Sequence, residues 1–306
     1  MAFDGRYRKQ VELLIRTLPY VAEEKCFALK GGTAINLFVR DMPRLSVDID
    51  LTWLPAGERD DSLSGIDAAL NRIAERIRGA DGRVSITSSA PKGQSQINKL
   101  VVRTPDRVQI KIEVTPVLRG CVYDPVMTMI GEKAENVFGF AEINVLSFAD
   151  LYAGKIKAAL YRQHPRDLFD VHQLLENEGL TDELRTALII YLVSHDHSPN
   201  SLLLPTKKDI THEYEKNFHG MTEKEVSLET LVKACEVLAD SVVSGMPENH
   251  KQFLVSFYRR SPDWMLLGIE GLERLPAVRW RELNLDKAGK DTREAIVADL
   301  ETVLWP

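Results

Sequence analysis

The sequence contains few cysteines, no long hydrophobic run and no excess of basic residues. Its three cysteines, Cys26, Cys121 and Cys235, are far apart and form no CxxC pair, which argues against a disulfide framework and a thiolate zinc site. No apolar run reaches about 18 residues and the N-terminus is polar, so we expect no membrane span, no signal peptide and a cytoplasmic location. The net charge of −6 argues against a general nucleic-acid coat protein, so any polyanion would have to bind locally.

The composition is that of a folded globular protein. The 306 residues are 44% hydrophobic and 27% charged, which is enough apolar material for two ordinary domains. Residues 1–146 mix strand-like and helix-like patterns, whereas residues 147–306 have an almost wholly helical pattern. The sequence therefore predicts an α+β protein, with a mixed β-sheet and flanking helices in a domain over 1–146 and a mainly α-helical body over 147–306.

Hydrophobic periodicity predicts the elements of the first domain. Apolar residues three and four positions apart indicate helices, and strict alternation indicates half-buried strands. We predict helices over 5–22, 33–39 and 60–79, and strands over 26–29, 46–52, 84–88, 96–103 and 107–115.

The strand over 46–52 carries a pair of carboxylates. Val47, Ile49 and Leu51 alternate with Asp48 and Asp50, so both carboxylates face one side with Cα atoms roughly 6.6 Å apart. Such a pair repels itself unless a cation or proton relieves it, and its hard oxygens suit Mg²⁺, with Mn²⁺ as an alternative, bridging to substrate phosphates. The alternative interpretation is the solvated polar face of an edge strand.

A glycine-containing turn precedes this strand. It lies between a predicted strand and a short helix, where glycine lets the backbone approach a ligand and the helix N-terminus offers free N–H groups to phosphate. A triphosphate would fit there, although a simple strand-to-helix turn has the same composition. The candidate substrate-binding residues are Lys30, Gly31, Gly32 and Thr33.

The strand over 107–115 supplies a third carboxylate. Glu113 lies on its polar face with Gln109 and Lys111. On an adjacent strand, Glu113 would help to bind a metal or accept a proton from an attacking hydroxyl. A cross-strand ion pair with a lysine or arginine explains it equally well.

The helix after Ser147 carries candidates of its own. Lys155 flanks the apolar face of this helix, so its ammonium can reach a cleft and neutralise charge on a triphosphate leaving group. Pairing of Lys155 with Asp150 or Asp167 is the alternative. Arg162 and Arg166 are planar forks suited to phosphate, although ion pairs with nearby aspartates account for them as well.

Two segments together resemble a known family. They are Phe27-Ala28-Leu29-Lys30-Gly31-Gly32-Thr33-Ala34-Ile35-Asn36-Leu37 and Pro43-Arg44-Leu45-Ser46-Val47-Asp48-Ile49-Asp50-Leu51, with weaker support from 155–170 and 279–284. They resemble the AbiEii/AbiGii, or MenT-like, nucleotidyltransferase toxins of the DNA polymerase β-like superfamily. The wider superfamily has Gly-Ser about ten residues before DxD, whereas this chain has Gly-Gly-Thr and fourteen residues between Thr33 and Asp48.

The resemblance implies a function. Members are toxins of bacterial toxin–antitoxin and phage-defence modules, and some transfer a nucleotide from an NTP to the 3′ end of tRNA. It implies an NTP substrate with Mg²⁺, a tRNA or other RNA acceptor and a cognate antitoxin partner. It also implies a site role for Asp167, which would hold Lys155 in place.

Two other functions use the same residues. A catalytically silent nucleotide- or antitoxin-binding module would keep the fold without the reaction. A metal-dependent nuclease would use the same carboxylates, because metal ions serve hydrolysis as well as transfer.

Overall fold

The computed structural model describes residues 3–306. Contacts between residues divide them into two compact units. The first contains the described residues up to Ser147 together with His219–Glu225, and the second contains Phe148–Phe218 and Val226–Pro306. Among the described residues, no helix is both long and apolar enough to cross a membrane. That the chain functions as two domains divided near residue 146 stays a prediction.

The first unit is a seven-stranded sheet with helices. Its strands are β1 Phe27–Lys30, β2 Asp48–Trp53, β3 Ser85–Ser89, β4 Lys99–Arg103, β5 Gln109–Val114, β6 Val126–Met129 and β7 Glu142–Val145. Its helices are α1 Gly5–Ala22, α2 Gly31–Thr33 with a π-helical continuation Ala34–Val39, α3 Arg59–Ala80 and α4 Glu132–Phe138.

The sheet has the strand order β3-β4-β5-β2-β1-β7-β6. The pairs β2–β5 and β1–β7 are parallel, and the other neighbours are antiparallel. One face carries Ile49, Leu51 and Ile112, which are fully buried, and each such side chain stabilises the fold by about 1.5–3 kcal/mol. The opposite face of the central strand β2 carries Asp48 and Asp50, which are partly exposed.

The predicted strands and helices of this unit are confirmed, with shifted ends. The second helix begins at Gly31, so β1 runs into it without a loop, and β2 begins at Asp48 instead of residue 46. Sequence analysis assigned no element between 116 and 146, where the structure has β6, α4 and β7. Strand β6 was missed because Val126, Met127 and Met129 are all exposed, which leaves no alternation to detect.

The second unit is helical, and its described residues contain no strand. Together with the mixed sheet, this confirms the α+β class. In its core, α5 packs on α7 and α6, and α10 packs on α6. The helices are α5 Phe148–Arg162, α6 Pro165–Asn177, α7 Asp182–Val193, α8 Pro199–Leu203, α9 Thr211–Asn217, α10 Leu228–Ser244, α11 Glu248–Tyr258, α12 Pro276–Lys287 and α13 Lys290–Leu304, with 3₁₀ turns at Trp264–Leu267 and Leu272–Arg274.

The segment His219–Glu225 belongs to the first unit although it lies far along the sequence. The Leu45 N–H donates to the Met221 carbonyl at 2.8 Å, and the Glu223 N–H donates to the Pro43 carbonyl at 2.9 Å. The segment therefore fixes the chain just before β2. Sequence patterns gave no indication of this pairing, because it joins residues far apart in the chain.

Candidate functional site

A row of four charged residues crosses the sheet of the first unit. Lys30 on β1 pairs in register with Asp50 on β2, Asp50 pairs with Glu113 on β5, and Glu113 pairs with Lys99 on β4. Residues in register share a face of the sheet, so these side chains form one line, which we call the charged row. Two neighbouring carboxylates lie between two lysines, and each lysine offsets part of their repulsion.

Asp48 and Asp50 lie on the same side of β2, as their spacing predicts. Ile49 between them is fully buried, whereas both aspartates are partly exposed. Asp48 pairs in register with Lys111 on β5. The two carboxylates thus face one side of the sheet, and their oxygens are the ligand type that Mg²⁺ prefers.

Position 31 requires a glycine for two reasons, its backbone conformation and the closeness of Asp50. Its φ of +73° is a left-handed backbone conformation that side chains disfavour. A Cβ at this position would lie 2.6 Å from Oδ2 of Asp50, closer than any real contact. The absence of a side chain therefore lets the start of α2 lie directly against the Asp50 carboxylate.

At position 32 a side chain would instead collide with Arg44 and Ser46. A Cβ there would lie 2.7 Å from Nη2 of Arg44 and 2.9 Å from Oγ of Ser46. Arg44 is only 1% exposed, and its Nη1 donates to the Leu45 carbonyl at 2.9 Å. A buried guanidinium therefore lies beside the glycine pair, although the sequence pattern predicts only a turn at Arg44.

Thr33 connects α2 to β2. Its hydroxyl donates to the Asp48 carbonyl at 2.5 Å, and its side chain is fully buried. The hydroxyl is therefore engaged by the backbone of the carboxylate strand. In this arrangement Thr33 fixes the position of Asp48 relative to the helix.

Lys30 points to the carboxylates. Its Nζ donates to Oγ1 of Thr115 at 2.9 Å, a partner that sequence analysis missed. Burial lowers the pKa of Lys30, and the charges of Asp50 and Glu113 oppose that shift. A partly buried ammonium next to two carboxylates in register acts as their internal counter-ion.

Glu113 has the cross-strand partner that was one of its two sequence interpretations. Its Oε2 lies 3.1 Å from Nζ of Lys99, and both side chains are partly exposed. Lys99 was not identified from the sequence, because it becomes a neighbour of Glu113 only through the β4–β5 register. An ion pair this exposed contributes at most about 1 kcal/mol, so Glu113 can exchange its partner at little cost.

The carboxylates fit a divalent cation that takes most of its ligands from substrate and water. Among residues 3–306, no group of three or more histidine, cysteine, aspartate or glutamate side chains is arranged to hold a metal by itself. Mg²⁺ is commonly held by one or two protein carboxylates plus substrate phosphates and water. The donor set of Asp48 and Asp50 matches that requirement.

A second ionic cluster lies in the second unit. Nζ of Lys155 lies 2.8 Å from Oδ1 of Asp167 and 3.0 Å from Oδ2 of Asp170, and all three side chains are buried. Nε of Arg162 donates to Oδ2 of Asp167 at 2.5 Å. The ammonium of Lys155 is thus engaged by two aspartates, including the Asp167 partner that the sequence left open. Asp170 was expected only as a partner of the arginines, although its spacing of three from Asp167 on a helix places both aspartates on one face, where both bind Lys155.

The local sequence explains how Asp167 reaches this cluster. Pro165 occupies the first turn of α6, and Nδ1 of His164 accepts the N–H of Arg166 at 3.2 Å, so the helix starts at a defined residue. Asp167 then lies in the first turn, where the helix dipole favours a negative charge. Burial would raise the pKa of Asp167, but Lys155 and Arg162 outweigh it and hold that pKa well below its usual range.

Arg166 differs from its neighbours. Its side chain is partly exposed, and within the described part of the chain its guanidinium forms no ion pair. Of the predicted phosphate-binding arginines, Arg166 therefore has the guanidinium that is not held by a carboxylate. The predicted residues thus form two groups. The charged row and α2 lie in the first unit, and Lys155, Arg162, Asp167 and Asp170, which we call the Asp167 cluster, lie in the second.

Comparisons with known proteins identify the family and the fold of the chain. A family profile described as nucleotidyl transferase AbiEii toxin, type IV TA system, matches residues 12–280. Among solved structures, MenT4, a nucleotidyltransferase toxin from Mycobacterium tuberculosis H37Rv, is similar with a TM-score of 0.62 at 13% identity, covering 98% of this chain and 95% of that one. At that identity the likeness concerns the fold. No curated protein matches the chain.

Substituting Gly31 tests the contact with Asp50. Gly31→Ala combines left-handed backbone strain, about 1–3 kcal/mol, with a clash against Asp50 that adds about 1–3 kcal/mol. Gly93→Ala is the matched control, since Gly93 has φ +79° and a Cβ added there would have no atom within 4 Å. We expect urea denaturation to show a larger loss for Gly31→Ala than for Gly93→Ala. Equal losses would mean that the carboxylate does not constrain this glycine.

The Asp167 cluster predicts a pH dependence of stability. Asp167→Asn leaves the buried Lys155 ammonium short of a partner and should cost about 3–5 kcal/mol at pH 7. Because the folded pKa of Asp167 lies below its ordinary value of 3.8, the stabilisation is complete above that value and is lost progressively as the pH falls from it towards the lower folded pKa. The difference between wild type and Asp167→Asn should therefore shrink below about pH 4.

Urea titrations from pH 3 to pH 7 measure this difference. Asp299→Asn, at an exposed position of α13, is the control and should change stability by no more than about 0.5 kcal/mol at any pH. If the stability difference between wild type and Asp167→Asn stays constant from pH 3 to pH 7, Asp167 does not stabilise the fold as an ionised carboxylate.

Proposed function

The chain belongs to the AbiEii family of nucleotidyltransferase toxins of type IV toxin–antitoxin systems, and from this premise we propose that it transfers NMP from an NTP to an RNA acceptor, the 3′ end of tRNA. The observation that carries the proposal is the placement of Asp48 and Asp50 on one side of β2, with Gly31 directly against Asp50. Carboxylates beside exposed backbone are what a metal-bound triphosphate needs.

Asp48 and Asp50 would hold Mg²⁺, with Mn²⁺ as an alternative. When bound, the ion neutralises charge on the phosphates and orients the reacting phosphorus. The triphosphate would lie against the backbone of α2 at Gly31 and Gly32, both of which are partly exposed. Thr33 keeps Asp48 in register with that backbone through the hydrogen bond to its carbonyl. These residues bind and orient, which is the main contribution a protein makes to phosphoryl transfer.

Glu113 would act on the acceptor side of the reaction. Placed next to Asp50, it either adds a ligand to the metal or accepts the proton of the attacking hydroxyl. Lys99 pairs with Glu113, and Lys30 lies next to Asp50 in the β1–β2 register, so each lysine offsets part of the negative charge. We therefore propose that Lys30 acts as the counter-ion of the carboxylates, in place of the direct substrate contact expected from the sequence.

The second unit carries the remaining residues to which we assign a role in phosphate chemistry. Lys155 is oriented by Asp167, and Arg162 is held by the same carboxylate. Arg166 has the most available guanidinium for a phosphate, because it is partly exposed and unpaired among the described residues. We assign Lys155 to charge neutralisation, Arg162 and Arg166 to phosphate binding, and Asp167 to positioning of Lys155.

The family also implies a cognate antitoxin. We propose that the chain works in the cytoplasm, where NTPs and tRNA are present. Growth arrest in cells that lack the antitoxin, and relief of that arrest by its expression, are the expected consequences.

Asp50→Asn should abolish nucleotide transfer. Loss of one metal-binding carboxylate removes electrostatic stabilisation worth a factor on the order of 10² or more. Purified protein is incubated with total tRNA, Mg²⁺ and each labelled NTP in turn, and the RNA products are sized. Asp60→Asn, an exposed aspartate at the start of α3, is the control and should retain the wild-type rate.

Three outcomes separate the candidate functions. Lengthened, labelled RNA that disappears with Asp50→Asn supports transfer. Shortened RNA selects a metal-dependent nuclease, and full labelling by Asp50→Asn contradicts the proposed role of the carboxylates.

Expression in a host without the antitoxin gives an independent prediction. Wild-type protein should arrest growth, whereas Asp48→Ala should not, because both carboxylates are needed to hold the ion. Colony counts after induction, with immunoblots to match protein levels, measure the effect. If cells that express the wild-type protein grow as well as cells that express Asp48→Ala, with no arrest in either, the protein is a catalytically silent binding module.

A further inference from the structure

The two edges of the sheet differ in character. The edge strand β3 carries Ser85, Thr87, Ser88 and Ser89, which are polar. The opposite edge, β6, is apolar, and Val126, Met127 and Met129 are 60%, 43% and 61% exposed. Exposed apolar edge strands are unusual because they invite another chain to pair, so natural proteins normally cover or charge them.

The backbone of β6 also has bonding groups directed outward. The Ile130 N–H donates to the Ala141 carbonyl at 2.9 Å, which fixes the alternation of the β6–β7 ladder. By that alternation, Val126 and Thr128 bond to β7, whereas the N–H and C=O groups of Met127 and Met129 point away from it. Among the described residues, no strand pairs with β6 on this outer side.

Negative charge surrounds the strand. Asp124 precedes β6, Glu132 and Glu135 follow it in α4, and Glu142 pairs in register with Met129. All four, which we call the acidic rim, are exposed. The basic residue within 124–142 is Lys133, and its ammonium is bound by Glu223. The surface therefore attracts cationic partners.

We propose that β6 is a docking strand for an extended segment of a partner protein that carries alternating apolar and Lys or Arg side chains. The segment would add to the sheet beyond β6 and bond to the backbone of Met127 and Met129. Its apolar side chains would cover the two methionines, and its cationic side chains would pair with the acidic rim. A second copy of this chain docking through its own β6 would bring two acidic rims together, which charge repulsion opposes.

The test uses the full chain and a fluorescent peptide of alternating lysine and valine. Anisotropy measures its affinity, and a peptide of alternating glutamate and valine is the comparison. Met129→Lys adds a like charge and removes apolar area, so it should weaken binding at least tenfold. Met127→Pro removes an outward N–H without touching the bonds to β7, and should also weaken it. Glu142→Gln should weaken binding of the basic peptide by a smaller factor and should make that binding less sensitive to salt.

Met265→Lys is the matched control, because Met265 is 88% exposed in the second unit. It should bind the basic peptide as wild type does. Amide hydrogen exchange should show new protection at Met127 and Met129 when the basic peptide is bound.

Several results would overturn the proposal. These are equal binding of the acidic peptide, undiminished binding of the basic peptide to a folded Met129→Lys or Met127→Pro protein, or absence of protection at the two methionines. Sedimentation showing a dimer that Met129→Lys dissociates would assign β6 to a second copy.

Discussion

Two carboxylates on neighbouring strands lie side by side, and the repulsion between them is the constraint around which the charged row is arranged. Asp50 and Glu113 are adjacent in the β2–β5 register, where like charges on neighbouring strands repel each other. Lys30 and Lys99 lie at the two ends of the row and offset this repulsion. The parallel β2–β5 pairing inside an otherwise largely antiparallel sheet creates this adjacency. In the proposed function, a divalent cation bound by Asp48 and Asp50 would relieve the same repulsion.

The glycine pair and the charged row depend on each other. Gly31 can start a helix at the end of β1 only because it tolerates a positive φ, and this start brings the helix against Asp50. Gly32 leaves space for the buried guanidinium of Arg44 behind the helix. The segment His219–Glu225 holds the residues on either side of Arg44 through backbone hydrogen bonds. A site of this kind combines a polar face with a rigid frame, as preorganised binding of phosphate requires.

Much of the fold and part of the site followed from the sequence. Strict alternation around Asp48 and Asp50 predicted both the strand and the shared face, because period two leaves no other arrangement. The helical second half followed from periodicity in the same way. Local patterns could not provide the β4–β5 register that joins Lys99 to Glu113, because register depends on long-range pairing. Thr33 was expected to bind substrate, and in the structure its hydroxyl donates to the Asp48 carbonyl, a contact made only after the chain folds.

The central claim is that Asp48 and Asp50 share one divalent ion with a nucleoside triphosphate. A crystal structure with Mn²⁺ and a non-hydrolysable NTP analogue, with anomalous data collected at the manganese edge, tests it most directly. We predict an anomalous peak roughly 2.0–2.3 Å from oxygens of both carboxylates and of the triphosphate, with the phosphates against Gly31 and Gly32. A nucleotide bound with its metal elsewhere, or a peak that touches neither aspartate, would contradict the account.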